Sequence, residues 1–131
     1  MDITKFNTVS ASSKARTLKL KNPFTNETIE DEDGNNLEIM VYGVKSIAGK
    51  NAIAERDRKG KDDKQSDDEK ARIGAEFLAA LTAGWSDNFE LGDEQLKYNN
   101  ENAVKLYLSE DWIADQVLSF ALNLKNYDPN A

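Results

Sequence analysis

The 131-residue chain contains no cysteine and no histidine. The first absence removes disulfides, thiolate zinc sites and a cysteine nucleophile. The second removes an imidazole base or ligand, and with it Ser-His-Asp chemistry. Any metal site is left to carboxylates and carbonyls, the ligands of magnesium and calcium. Apolar runs are short, and nothing approaches the ~20 residues that a membrane-spanning helix needs. The opening, MDITKFNTVS, has neither a basic start nor an apolar stretch, so no secretion signal is expected there and a cytoplasmic setting is. Leu, Ile, Val and Phe together make 29 of 131 residues, just above the ~20% at which chains tend towards disorder. A chain of this length and composition predicts one lean domain with its own core.

The formal charge is −7, from 24 acids and 17 bases. Residues 1–54 carry seven acids and seven bases, and residues 55–72 again seven of each. Residues 73–131 carry ten acids and three bases, so the whole excess lies in the C-terminal half, which also holds both Trp residues. Acid excess disfavours a phosphate backbone, and no nucleic-acid or membrane partner is expected. An acidic, aromatic-bearing half fits a protein-binding surface or a soluble helical face.

The pattern along the chain predicts an α+β domain, mainly α, in which an N-terminal β-hairpin or small antiparallel sheet precedes about four helices. Residues 1–15 are polar and aperiodic, and a flexible tail is expected whose removal weakens self-association but leaves the domain folded. Residues 16–131 form the single domain, with an exposed charged loop near 59–66. Leu18 and Leu20 alternate with polar residues, as do Leu37, Ile39 and Val41, which predicts two strands paired across a long loop. Ser46 is placed to cap a helix bearing Ile47, Ala48, Ala52 and Ile53, which Gly49 weakens. Ser66-Asp-Asp-Glu69 is a capping box before the stripe Ile73, Phe77, Leu81. Gly84 is expected to stop that helix, with 85–98 irregular. Asn99 or Asn100 is expected to cap a short helix, and Ser109 the last one, on which Ile113, Val117, Phe120 and Leu124 share a face.

Chemistry-bearing motifs are few. Asp31-Glu-Asp-Gly-Asn35 resembles half of a calcium loop, but Ile29 and Met40 occupy ligand positions, so a turn is expected. No phosphate-cradling glycine motif occurs. Asp62, Asp63, Asp67 and Asp68 cluster among lysines in a solvated run, a poor setting for separated carboxylate pKa values. No catalytic, cofactor-binding or metal-binding residue is expected. Trp85 follows a striped helix and is expected to pack between helices, with a partner-facing anchor as the alternative; Trp112 reads the same way. Trp85, Phe89, Tyr98 and Trp112 are the candidate protein-binding residues.

Several short pieces, in order, resemble those of tail assembly chaperones of long-tailed, siphovirus-type bacteriophages. Leu-Lys-Asn-Pro-Phe-Thr at 20–25 resembles the strand and X-Pro turn that open many of them, and Met40-Val-Tyr-Gly-Val-Lys-Ser46 their next strand and helix start. Leu81-Thr-Ala-Gly-Trp-Ser86 resembles a helix-ending Gly-Trp turn, and Asn100-Glu-Asn-Ala-Val-Lys-Leu-Tyr107 the short helix after it. Trp112 to Phe120, then Asn126-Tyr127, resembles the closing helix. The resemblance implies a non-enzymatic chaperone that coats the tape-measure protein, helps recruit major tail (tube) protein subunits, self-associates, acts in the host cytoplasm and leaves before the virion is complete. The alternative is a phage virion structural component, a capsid decoration or head–tail connecting protein. An acidic DNA mimic and a carboxylate–metal enzyme are weaker readings.

Overall fold

A computed structural model describes residues 1–62 and 64–130; Asp63, one of the clustered acids, lies outside them. The fold is α+β and mainly α. Three strands, β1 (Arg16–Lys19), β2 (Glu38–Val41) and β3 (Thr82–Trp85), form an antiparallel sheet with β2 in the middle. A second small sheet pairs β4 (Glu90–Leu91) with β5 (Glu94–Gln95). The helices are α1 (Thr8–Ser12), α2 (Ile47–Lys59), α3 (Asp67–Ala80), α4 (Asn100–Ser109) and α5 (Asp111–Leu122), with 3-10 turns at Ile3–Phe6 and Leu124–Tyr127. None of the described helices is long and apolar enough to cross a membrane.

The expected hairpin forms, with Arg16 opposite Val41 and Lys19 opposite Glu38. Its long connection is folded on itself through Leu20 N to Leu37 O (2.9 Å) and Ile29 N to Leu20 O (3.1 Å). The third strand corrects the expectation for Gly84. Helix α3 ends at Ala80, where the Thr82 hydroxyl donates to Leu78 O at 2.9 Å and satisfies one of the orphan carbonyls. Gly84 lies in β3 with no positive φ. Its lack of a side chain serves Met40, whose Cε would sit 3.2 Å from an added Cβ. The register slips between Met40 and Val41, opposite Gly84 and Thr82, so Ala83 is bulged out.

Three helix starts follow the sequence. The Ser46, Ser66 and Asn99 side chains accept from the N–H groups of Gly49, Glu69 and Asn102. The fourth does not. Ser109 is the last residue of α4, its hydroxyl donating back to Lys105 O at 3.0 Å, and Glu110 precedes α5 without a side-chain cap. Helix α2 buries only Gly49 and Ala52, while Ile47 stays 64% exposed. It is attached to α3 instead by the Arg56 guanidinium over the Phe77 ring (4.6 Å) and by Lys59 Nζ to Glu76 Oε2 (3.1 Å). Helices α3 and α4 make the most extensive helix pairing, and α5 packs on β2 while burying Ile113, Val117 and Ala121.

The first fifteen residues are not a bare tail. Asn7 caps α1 by accepting from Ser10 N, and Ser12 is buried, its carbonyl accepting from Gly43 N at 3.1 Å. The truncation expected to leave the domain intact would therefore expose Gly43 and the facing ring of Tyr127.

Glycine substitutions should separate space from propensity. A Cβ at Gly49 would lie 2.3 Å from Val44 O, whereas one at Gly74 meets nothing within 4 Å. Urea denaturation should show Gly49→Ala destabilised by about 1–3 kcal/mol through forced backbone movement. Gly74→Ala should instead be stabilised by about 0.5–1 kcal/mol.

Alkaline pH gives a second test. The Tyr107 hydroxyl lies 2.6 Å from Thr82 Oγ1, and burial pushes its pKa from the ordinary 10.0 up to about 12. The fold favours the neutral phenol, so this contribution is complete below pH 10 and is lost as pH rises towards about 12. Tyr107→Phe should cost about 1 kcal/mol at neutral pH. It should also flatten the decline in stability above pH 10, read by chemical denaturation across that range.

Candidate functional site: an acid-rimmed cleft

The four aromatic candidates separate into an interior group and a surface one. Trp85 is buried, its indole N–H donating to Leu96 O at 2.8 Å. Its ring stacks on Phe89 (centroids 5.4 Å, 28°) and meets Tyr98 edge-on (5.1 Å, 85°). Trp85 is thus a core residue, but its ring partners belong to the segment that follows β3 rather than to two helices. Tyr98 is partly exposed, but its hydroxyl donates to Thr82 O at 2.8 Å and burial raises its pKa. These two rings pin the 85–98 segment onto β3. Phe89 has one face in this cluster and also lines a surface cleft that includes Trp112.

That cleft, of about 750 Å³, lies between the 29–37 part of the long connection, the β4 hairpin and the α4–α5 junction. Its apolar lining comes from Ile29, Leu37, Phe89, Leu91, Trp112 and Ile113. Its charged lining is of one sign: Glu30, Asp31, Glu32, Asp33, Glu90 and Glu110, with no basic side chain among the described lining residues. The described ion pairs all lie within residues 55–76, so none of these six carboxylates has a salt-bridge partner. Such an arrangement can hold an apolar group and attract a cation beside it.

The geometry of the rim is set by Asp31 and Asn88. Asp31 Oδ1 accepts from the Asp33 and Asn35 N–H groups, both at 2.9 Å, which makes the segment the turn expected from its sequence, closed by Gly34 at φ +81°. Asn88 Nδ2 donates to Asp31 Oδ2 at 3.0 Å and to Asn36 O at 3.2 Å, while Asn88 Oδ1 accepts from the Ser86 hydroxyl at 2.6 Å. One amide therefore ties the acidic turn to the chain leaving β3. The Asn88 bond, reinforced by the Asn35 N–H, holds the Asp31 carboxyl below its ordinary pKa. Trp112 Nε1 donates to Glu110 Oε2 at 3.0 Å, fixing the indole at the opposite wall.

Sequence reasoning found Phe89 and Trp112 but not the acids around them. The rim draws Glu30–Asp33 from the charge-balanced first half and Glu90 and Glu110 from the acidic second half, so charge counted along the chain could not show it. The turn signal at Asp31-Gly34 was the one available clue. Among the described residues, no group of three or more acids is gathered closely enough to hold a metal ion. Comparison of the chain with protein-family models, curated proteins and solved structures finds no match.

The Asn88 bridge can be tested directly. In Asn88→Ala the Asp31 carboxyl should titrate at higher pH than in the native protein, as followed by carboxyl carbon resonances in NMR. Native Asp31 contributes stability above the ordinary carboxylate range, lost as pH falls through its lowered folded pKa. The variant should be less stable than the native protein at neutral pH, read by urea denaturation, since Asp31, Asn36 and Ser86 each lose a partner.

Proposed function

We propose that the chain is a non-enzymatic tail assembly chaperone of long-tailed bacteriophages, which binds the tape-measure protein, helps bring tube subunits to it and self-associates. The observation that carries this reading is the ordered series of local motifs between residues 20 and 127. They fall on the turn after β1, on β2 and the α2 cap, on β3, on α4 and on α5 with its closing 3-10 turn. Each position is a structural joint rather than a reactive group, which suits a protein that works by contact.

The physics of such a role is moderate affinity. A scaffold that must leave binds through many small contacts, each weak, and gains hold through multiple copies. An acidic surface keeps the free chaperone soluble and complements basic stretches of an elongated partner. The partially exposed cleft, with its unpaired carboxylates beside apolar side chains, supplies one such contact per copy.

Co-expression with the tape-measure protein of the same genome tests the reading. The tail protein should become soluble and elute with many copies of this chain. A tape-measure protein that stays insoluble and unbound beside well-folded chain would overturn it. Mass spectrometry of purified particles should find the chain absent; stoichiometric presence would assign it to the virion structure instead.

A further inference from the structure

We propose that the cleft between the 29–37 connection, the β4 hairpin and the α4–α5 junction binds a basic amphipathic segment of another protein. An aliphatic or aromatic side chain would enter beside Phe89 and Trp112, and lysines or arginines would meet the rim. The proposal names the class of partner segment for the chaperone reading and rests on the protein-binding part of that reading.

The charge pattern selects the occupant. The chain as a whole carries 17 bases, yet none lines this cleft among the described residues, and all described ion pairs lie elsewhere. A purely apolar occupant would desolvate six carboxylates without compensation, which is unfavourable. A purely cationic one would leave Leu37, Leu91 and Trp112 facing water. A segment carrying both kinds of side chain satisfies both halves of the lining. The rim is held ready for it: Asp31 is fixed by Asn88 and two backbone N–H groups, and Glu110 by the Trp112 indole. Little ordering is then left to occur on binding. The cleft volume, about 750 Å³, holds one or two large side chains rather than a whole helix.

The full chain has two Trp residues, and only Trp112 lines the cleft, so its indole N–H resonance reports occupancy while that of Trp85, bonded to Leu96 O, serves as a reference. The probe is a synthetic peptide with leucine on one helical face and lysine elsewhere. It should shift the Trp112 resonance more than that of Trp85, whose ring meets the cleft only through Phe89. The double reversal Glu32→Lys/Glu90→Lys, at two exposed rim positions, should weaken binding by about tenfold or more. The equal reversal Asp57→Lys/Asp68→Lys, on α2 and α3, should change it less than about twofold. Replacing the peptide's lysines by glutamine, or its leucines by serine, should abolish the shift.

Equal weakening by both reversals would overturn the proposal, because net charge rather than the cleft would be responsible. Unchanged binding of the serine peptide would do the same. Peptide-free self-association that the rim reversal abolishes would overturn it in favour of a second copy of this chain. No binding by a folded protein that nevertheless solubilises the tape-measure protein would overturn the cleft assignment alone. Peptide binding without tape-measure binding would overturn the chaperone reading alone.

Discussion

The backbone of residues 38–44 is the constraint on which the rest of the molecule depends. It is the central strand and its continuation, and its polar groups reach β1, α1, the β3 segment, α5 and the C-terminal 3-10 turn. Glu38 O accepts from Ser86 N at 2.9 Å, and Tyr42 N donates to Leu81 O at 2.8 Å. Gly43 N donates to Ser12 O and Val44 N to Ala121 O, both at 3.1 Å. Val41 O accepts from the Tyr127 hydroxyl at 3.0 Å. Buried backbone groups must be paired, so a strand left with unpaired edges on both sides would be costly. Here the partners come from the N-terminal helix, from β3, from α5 and from the C-terminal turn. Ile39 and Val41, with no exposure, fix the register through the alternation of faces. A slip by one residue would turn both outward and break each of these bonds together.

The candidate cleft hangs from the same strand. Where β2 begins, Ser86 bonds Glu38 through both its backbone N–H and its hydroxyl, the latter accepting from Glu38 N at 3.0 Å. Two residues later Asn88 reaches across to Asp31, and one further on Phe89 joins the Trp85 ring. The two flexible-looking segments that form the cleft, 20–37 and 85–98, are therefore clamped to each other at the sheet's end. The rigidity of a surface site built on loops comes from those side-chain bridges, since neither segment has regular structure of more than two residues in a row apart from the ends they share with the sheet.

Local signals in the sequence carried the fold class, the first hairpin, the three side-chain-capped helix starts and the acidic turn. Each depends on neighbours within a few residues, where periodicity and capping act. Misplaced elements were those decided at a distance. Thr82-Ala-Gly-Trp85 reads as a helix stop until β2 offers it a partner, and then it is a strand. Residues 8–12 have no apolar stripe, yet fold because Gly43 provides the space and the donor that Ser12 needs. Gly49 looks like a weakness in α2 and is in fact where the helix meets the Val44 carbonyl. Phe89 and Trp112 were legible as large aromatics, but the carboxylates that give them chemical meaning come together only through the sheet.

Charge is distributed by use rather than by position along the chain. In α2 and α3 acids and bases neutralise one another: Glu55 pairs with Arg58 and Lys59, and Glu76 with Lys59 and Arg72. These exposed pairs contribute little to stability, since surface ion pairs are each worth about 0–1 kcal/mol. They do leave that face near neutral. The six carboxylates of the cleft have no such partners among the described ion pairs, and they stand beside accessible apolar side chains. Like charges held close cost folding energy. A fold that gathers six of them around one apolar floor, with no base among the described lining residues, sets charge and apolar surface together at a place suited to contact another molecule.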